Sequence, residues 1–408
     1  MVKAAESVHR RAVSEKDAVS RFFVKAEKVR RTAAKWDPAP RIINPRDPRY
    51  NVSLGRFLHK LEKRIYKRIK NIWGDPTVMK GYNARQTAQH MAHKWFESGF
   101  KQPCGIGLDA SRFDQHISAD ALRWEHSVYA SFFAGEDRTE LLRLLGMQLQ
   151  NRGVARVGKD KVKYTVDGVR MSGDMNTALG NCLLMCAMVW TLCRELNIRA
   201  KLANNGDDCM LICEAEDKDA LLAAIPNWFK RYGFTMKVED PVFEFEHLEF
   251  CQTRPVWGPD GWIMCRDPRV AISKDVVTTL PLNQGKIDRK LLGAIGNCGL
   301  ALGAGLPVFQ EFYTAMLRNA DGTLQGAPQL EGGFFWMSRG LSPRYVDISP
   351  KSRYSFWRAF GIEPAMQRML ESGSARWTYC PGRPREVDIS TDFTVSPSWF
   401  CPQFRDYC

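Results

Sequence analysis

Asn204-Asn205-Gly206-Asp207-Asp208 lies between two short apolar runs, residues 200–203 and 209–213. Asn-Gly between such runs is the strongest short-range signal for a tight β-hairpin. This hairpin carries two adjacent carboxylates at its tip, where they repel each other and pack against nothing. A pair of divalent cations gives them a purpose, because hard cations take carboxylate oxygens and offset the repulsion. A Gly-Asp-Asp alone arises by chance in roughly one chain in twelve of this length, so its meaning depends on partners elsewhere in the chain.

The outer limits come from composition. At 408 residues, with 44% hydrophobic and 25% charged residues, the chain can build one large multi-subdomain body or two to three domains. The net charge of +14, from 59 Lys and Arg against 45 Asp and Glu, favours a polyanionic partner, nucleic acid first and an acidic membrane surface second. Basic residues crowd between Arg10 and Arg85, in runs such as 28–31 and 63–68. The 12 cysteines are scattered, form no Cys-x-x-Cys pair and fall partly inside apolar runs, which suits buried free thiols better than disulfides or zinc. Residues 1–16 are charged and lack the apolar core of a secretory signal. The apolar stretch 182–193 suits a buried core helix and is shorter than a membrane span, so no intrinsic membrane anchor is expected.

Along the chain, residues 1–50 are basic and Pro-punctuated at 37–40 and 44–48, and read as extended loop. Helical spacing of Leu54, Phe57, Leu58, Leu61, Ile65 and Ile69 predicts a helix over 54–73. A short strand is expected at 105–108, an amphipathic helix at 117–133, a hairpin at 154–169 and the buried helix at 179–194. The acidic hairpin then spans 201–213, followed by a helix at 217–232 and a strand at 235–238. A further hairpin joins 248–253 to 262–265. Beyond about residue 285 the pattern is helical, then aromatic and Pro-rich. This order predicts an α+β fold, a small antiparallel sheet with helices on one face.

Two further clusters can carry chemistry. Asp109 follows the strand at 105–108 and Asp114 lies five residues on; a carboxylate at that strand end, beside the acidic hairpin, could complete a two-metal site, although a helix N-cap reads the same. In Ser172-Gly173-Asp174-Met175-Asn176-Thr177-Ala178-Leu179-Gly180-Asn181, a Ser-Gly turn enters a helix with Thr177 and Asn181 four residues apart on one face. That suggests hydroxyl or ribose recognition, with helix capping by Ser172 or Asp174 as the alternative.

Asp109-x4-Asp114, then Ser172-Gly173-x3-Thr177-x3-Asn181, then Gly206-Asp207-Asp208 resembles, in order, motifs A, B and C of viral RNA-dependent RNA polymerases. The wording of 109–116 and 173–181 is similar to the tombusvirus and umbravirus group of positive-strand RNA viruses. Residues 23–28, 40–46 and 49–51 are similar to the basic motif F region of that group. The likeness covers roughly residues 20 to 265 and fades in the C-terminal third.

The resemblance implies a right-hand polymerase with fingers at 1–103, palm at 104–134, a fingers insertion at 135–170, palm again at 171–265, and thumb with a C-terminal region at 266–408. It implies that Asp109 and Asp207 hold two Mg²⁺ ions, with Mn²⁺ as the alternative, and that Asp208 supports them. Asp114 and Asn181 would read the ribose 2′-hydroxyl; Ser172, Gly173 and Thr177 would position template and ribose. Lys25, Arg41 and Arg46 would line the nucleotide channel and neutralise triphosphate charge. Lys237 matches the motif D lysine that protonates pyrophosphate, and Phe250-Cys251-Gln252 the motif E hairpin that supports the primer. The implied partners are RNA template, nascent RNA, ribonucleoside triphosphates, and a membrane-associated viral replication protein or upstream fused portion. The implied location is the host cytoplasm, at membrane-associated replication complexes reached through that partner. Polymerases of this group carry a longer lead-in before motif F, so the chain is expected to be one part of a readthrough or frameshift product, or to be completed by another polypeptide.

Tyr354, Phe356, Trp357, Trp377, Tyr379, Trp399 and Phe400 read either as thumb core or as a stacking platform for initiation. Two other readings stay open here. A reverse transcriptase shares the paired aspartates but excludes ribonucleotides with a bulky side chain, where this chain offers Asp114 and Asn181. A non-catalytic RNA-binding replication factor would need only the basic N-terminal region.

Overall fold

The computed structural model describes residues 2–25, 39, 41–157, 159–278, 287–324 and 333–379. The basic run 28–31, most of 37–40, and Trp399 and Phe400 lie outside these residues. The described residues contain strands β1 (Ser20–Arg21), β2 (Phe23–Val24), β3 (Ile42–Ile43), β4 (Pro103–Ala110), β5 (Gln150–Val157), β6 (Asp160–Asp167), β7 (Ala200–Asn204), β8 (Asp208–Glu214), β9 (Met236–Val238), β10 (Thr253–Gly258) and β11 (Gly261–Arg266). They divide between two compact units, one within 1–25, 40–80 and 100–241, the other within 26–39, 81–99 and 242–408.

The first unit is built on a four-stranded antiparallel sheet of order β7-β8-β4-β9. Its two central strands are apolar without interruption: residues 104–108 of β4 and 209–213 of β8 are all buried. A strand with both pleat faces buried is covered on both sides. The same core takes in apolar residues of the helices Pro48–Trp73, Thr177–Glu195 and Lys218–Arg231. A second sheet, β1-β5-β6, contains the hairpin expected at 154–169, which runs from Gln150 to Asp167, and β2 pairs with β3.

Element ends follow local chemistry. Asp47 caps the helix Pro48–Trp73 by accepting the Arg49 N–H at 2.9 Å, Pro48 takes the first turn, and Gly74 at φ 84° ends it. The N-terminal stretch departs from the expected loop. It begins with the helices Val2–Arg10 and Glu15–Ala18, since the Pro punctuation that blocks helix starts only at residue 38. The helix expected over 117–133 forms as Ala119–Ala130, capped by Ser118, and a separate short helix Phe113–His116 precedes it.

The helix Thr177–Glu195 runs 19 residues, longer than its apolar stretch suggested. By length and composition it could cross a membrane, with mean hydropathy 1.3, and 61% of that window is buried inside the protein.

In the second unit the helix Ala84–Phe96 packs on the β10–β11 hairpin, where Phe96 stacks on Trp262 at 6.1 Å between ring centres. The helices Ile287–Gly303 and Phe309–Arg318 pack together, and an ion pair at 2.7 Å between half-buried Arg266 and buried Asp275 takes the Tyr313 hydroxyl as well. Of the C-terminal aromatics, Phe356 is fully buried while Tyr354 is exposed. Phe250 to Gln252 do not form a strand. Phe250 is buried, Cys251 and Gln252 both adopt positive φ (52° and 59°), and Phe250 and Thr253 exchange backbone hydrogen bonds across the turn that leads into β10. The expected strand 248–253 is therefore corrected to a tight turn, and the hairpin lies wholly at 253–266.

Candidate active site

The acidic hairpin is formed in the first unit, one residue out of the expected phase. The last ladder pair is Asn204 with Cys209, and the Asn205 N–H donates to the Asp208 C=O at 2.8 Å. Gly206 and Asp207 are thus the central pair, with Gly206 at φ 100°, the region that glycine enters without penalty. Asn204 serves the turn from below. Its fully buried amide donates to the Gly206 C=O at 2.7 Å and accepts the Gly206 N–H at 3.2 Å.

Strand register brings the acids together. Asp109 pairs with Asp208 on one side and with Lys237 on the other. Directly paired residues of an antiparallel ladder share a face, with Cβ atoms roughly 5 Å apart. Asp109, Asp207 and Lys237 are exposed, and neither Asp109 nor Asp207 forms an ion pair with a described residue. Among the described residues no three His, Cys, Asp or Glu side chains form a ready-made metal cluster. As a donor set, however, exposed carboxylates on neighbouring strands fit hard divalent cations.

Asp114 and Asn181 meet: Asn181 Nδ2 donates to Asp114 Oδ1 at 2.7 Å. Burial raises the Asp114 pKa, with Asn181 and the Arg170 charge acting against that rise. Asn181 is 6% exposed, and its Oδ1 is buried without a hydrogen-bond partner.

Ser172 and Gly173 turn toward the β3 segment. Ser172 Oγ accepts the Asn44 N–H and donates to the Ile42 C=O, both at 3.2 Å. A Cβ on Gly173 would stand 2.6 Å from Pro45 Cα, so only glycine permits this approach. Thr177 Oγ1 donates to the Met171 C=O at 2.9 Å, closing the turn before its helix.

Arg46 is 3% exposed and cannot reach a triphosphate from this position. Its guanidinium forms a two-point pair with Asp174, one arm at 3.0 Å, and also donates to the carbonyls of Ala18 and Met147 and to Asn151 Oδ1. Every N–H of the fork is used. This corrects the channel-lining role expected for Arg46: it is a clasp between the basic segment and the Ser172–Gly173 turn. The two other expected channel residues, Lys25 and Arg41, are joined by a backbone hydrogen bond of 2.8 Å beside the β2–β3 ladder. Phe250, Cys251 and Gln252 belong to the second unit.

Several site residues escaped the sequence reading. Glu125 and Arg170 form a buried ion pair beneath Asp114, 0% and 2% exposed, with Asn176 Nδ2 donating to the same carboxylate at 2.8 Å. The Arg170 N–H also donates to the Asp114 C=O at 2.9 Å. Glu239 lies over Gly107, two residues before Asp109 on β4. Only the neighbouring motif positions could have flagged Arg170 and Asp174; nothing local marks Glu125 or Glu239.

Residues 1–381 match the family of viral RNA-dependent RNA polymerases. The chain belongs to that family. The match extends well beyond the stretch 20–265 marked by the motifs. RNA-directed RNA polymerases of Turnip crinkle virus (46% identical over 376 residues, 90% of this chain and 47% of the relative), Maize chlorotic mottle virus (43% over 378 residues, 92% and 39%) and Melon necrotic spot virus (42% over 397 residues, 95% and 49%) are similar to it. The chain spans about half the length of the relatives it matches, or less.

Proposed function

We propose that this chain is the polymerase portion of a positive-strand RNA virus replicase and extends RNA on an RNA template. The observation that carries this reading is the register that sets Asp109 against Asp208 while Asp114 and Asn181 pair beside them. In this reading Asp109, Asp207 and Asp208 hold two divalent cations, Mg²⁺ or Mn²⁺, which when bound supply a lowered pKa at the RNA 3′-hydroxyl and charge neutralisation at the pyrophosphate. Asn181 Oδ1, buried and without a partner, accepts the 2′-hydroxyl proton of the incoming ribose, and the Asp114 carboxylate fixes the amide that presents it. Lys237 offers its ammonium proton to the leaving pyrophosphate from the strand beside Asp109. Lys25 and Arg41 neutralise triphosphate charge, while Arg46 and Asp174 hold the segment that carries them.

The same reading assigns a right hand to the chain: palm at 104–134 and 171–265, fingers at 1–103 and 135–170, thumb beyond 266, with 250–252 supporting the primer. It takes RNA template, nascent RNA and ribonucleoside triphosphates as ligands. It places the chain at membrane-associated replication complexes in the host cytoplasm, through a viral replication protein or a fused upstream portion. The test is primer extension with RNA template, four ribonucleotides and Mg²⁺. Asp207→Ala is expected to abolish incorporation, by at least about a thousandfold, while RNA binding persists. Normal synthesis by purified Asp207→Ala protein would leave a non-catalytic RNA-binding factor as the better account.

A further inference from the structure

Lys80 stands beside the acidic turn in a position the motifs do not assign. The segment ahead of it is strapped to the first residue of that turn: the Asn204 N–H donates to the Thr77 C=O at 2.9 Å, and the Met79 N–H to the Asn204 C=O at 2.8 Å. Val78 and Asn204 thereby form an isolated parallel bridge at the sheet edge. With the backbone fixed, the half-buried Lys80 side chain brings Nζ to 3.9 Å from the point where a side chain at Gly206 would begin. The same point lies 3.7 Å from Asn181 Cβ. The Lys80 charge also reaches Cys182, the next residue on that helix, where it counters the upward push of burial on the thiol. Lys80 forms no hydrogen bond or ion pair with the described residues. A compact ammonium thus stands across the buried Gly206 from the Asn181 side chain, whose Oδ1 is buried and also without a hydrogen-bond partner.

We propose that Lys80 is a substrate-contacting residue of the polymerase site and takes a phosphate oxyanion at the Gly206 turn. The oxyanion belongs either to the last phosphodiester of the growing strand or to the triphosphate of the incoming nucleotide. A half-buried ammonium that forms no ion pair with the described residues is free to take an anion as a charge-assisted hydrogen bond. Asp207 and Asp208 repel a phosphate, and an ammonium at the turn adds to the countercharge that the proposed cations supply. Gly206 leaves the gap between the two groups open. This assignment rests on the polymerase reading.

The experiment compares wild type with Lys80→Met, Lys80→Gln and Lys80→Arg in primer extension on an RNA template, checking each by thermal melting. Both neutral variants are expected to raise one KM about tenfold with kcat within about threefold, and Lys80→Arg to recover most of the loss. A raised KM for the nucleotide identifies the triphosphate. A raised KM for the RNA end, with the salt slope of RNA binding reduced by about one unit, identifies the phosphodiester. Unmoved KM values in an active, folded neutral variant overturn the Lys80 assignment alone, as does an arginine variant as impaired as methionine. An inactive wild type would overturn the polymerase reading instead.

Discussion

His126 lies 4% exposed beside the Glu125–Arg170 pair, with its Nε2 3.2 Å from Gln148 Oε1. Burial pushes its pKa down to about 4, from an ordinary value of 6.5. A histidine depressed in the folded state binds its proton in the unfolded chain first. Its contribution to stability is therefore intact above about pH 6.5 and is lost as pH falls toward about 4, at roughly 1.4 kcal/mol per pH unit across that window. Urea melts at pH 7 and pH 5 are expected to separate by about 2 kcal/mol in wild type, and by clearly less in His126→Gln. An equal separation in both would show that other groups carry the acid sensitivity. The sequence drew attention to Asp109 and Asp207 because an acid in an exposed place on a strand end or turn has no packing reason to be there, and to Asp114 and Asn181 by their spacing alone. Arg46 misled because a buried clasp and a channel cation share one letter, and only the fold shows that Asp174 has taken its charge.

The basic segment and the turn before the Thr177–Glu195 helix are joined at three points: Arg46 to Asp174, Ser172 to the Ile42 and Asn44 backbone, and Gly173 against Pro45. Breaking a buried ion pair by removing one partner costs about 3–5 kcal/mol, mostly because the other charge remains unpaired. Arg46→Met and Asp174→Leu are each expected to destabilise the protein by that amount. The double variant should cost clearly less than their sum, giving a coupling of about 1–3 kcal/mol in a double-mutant cycle. Strict additivity would mean that the two elements are held by something other than the clasp. Element types were largely readable here, because the helix Pro48–Trp73 and the apolar run of 182–193 carry long periodic signals. Their ends were less so. The turn phase at Gly206 is set by Asn204 side-chain bonds, and the strand expected at 248–253 is displaced by two consecutive positive-φ residues that no Gly or Pro announces.

For the molecule as a whole, the +14 charge is the property most accessible from sequence. Binding to single-stranded RNA is expected to weaken linearly in log Kd against log salt, with a slope magnitude of about 4 if some six phosphates are neutralised. A flat salt response would exclude the basic surface as the main contact. The assignment of residues 81–99 is not readable from periodicity, which reports on neighbours in the chain and not on distant ones. Residues 81–99 leave the first unit and belong with 242–408.

That detour has a temporal meaning. The helix Ala84–Phe96, with Met91 and Trp95 buried in the finished protein, leaves the ribosome some 160 residues before its partner strand β11. At about 5–20 residues per second, its apolar face waits on the order of ten to thirty seconds for Phe245 and Trp262 to be made. Before β11 is made the nascent chain contains the whole acidic sheet, whose last strand β9 ends at Val238, so the first unit can begin to mature while the second is incomplete. The helix Ala84–Phe96 is thus a segment open to chaperone capture or misassembly during translation.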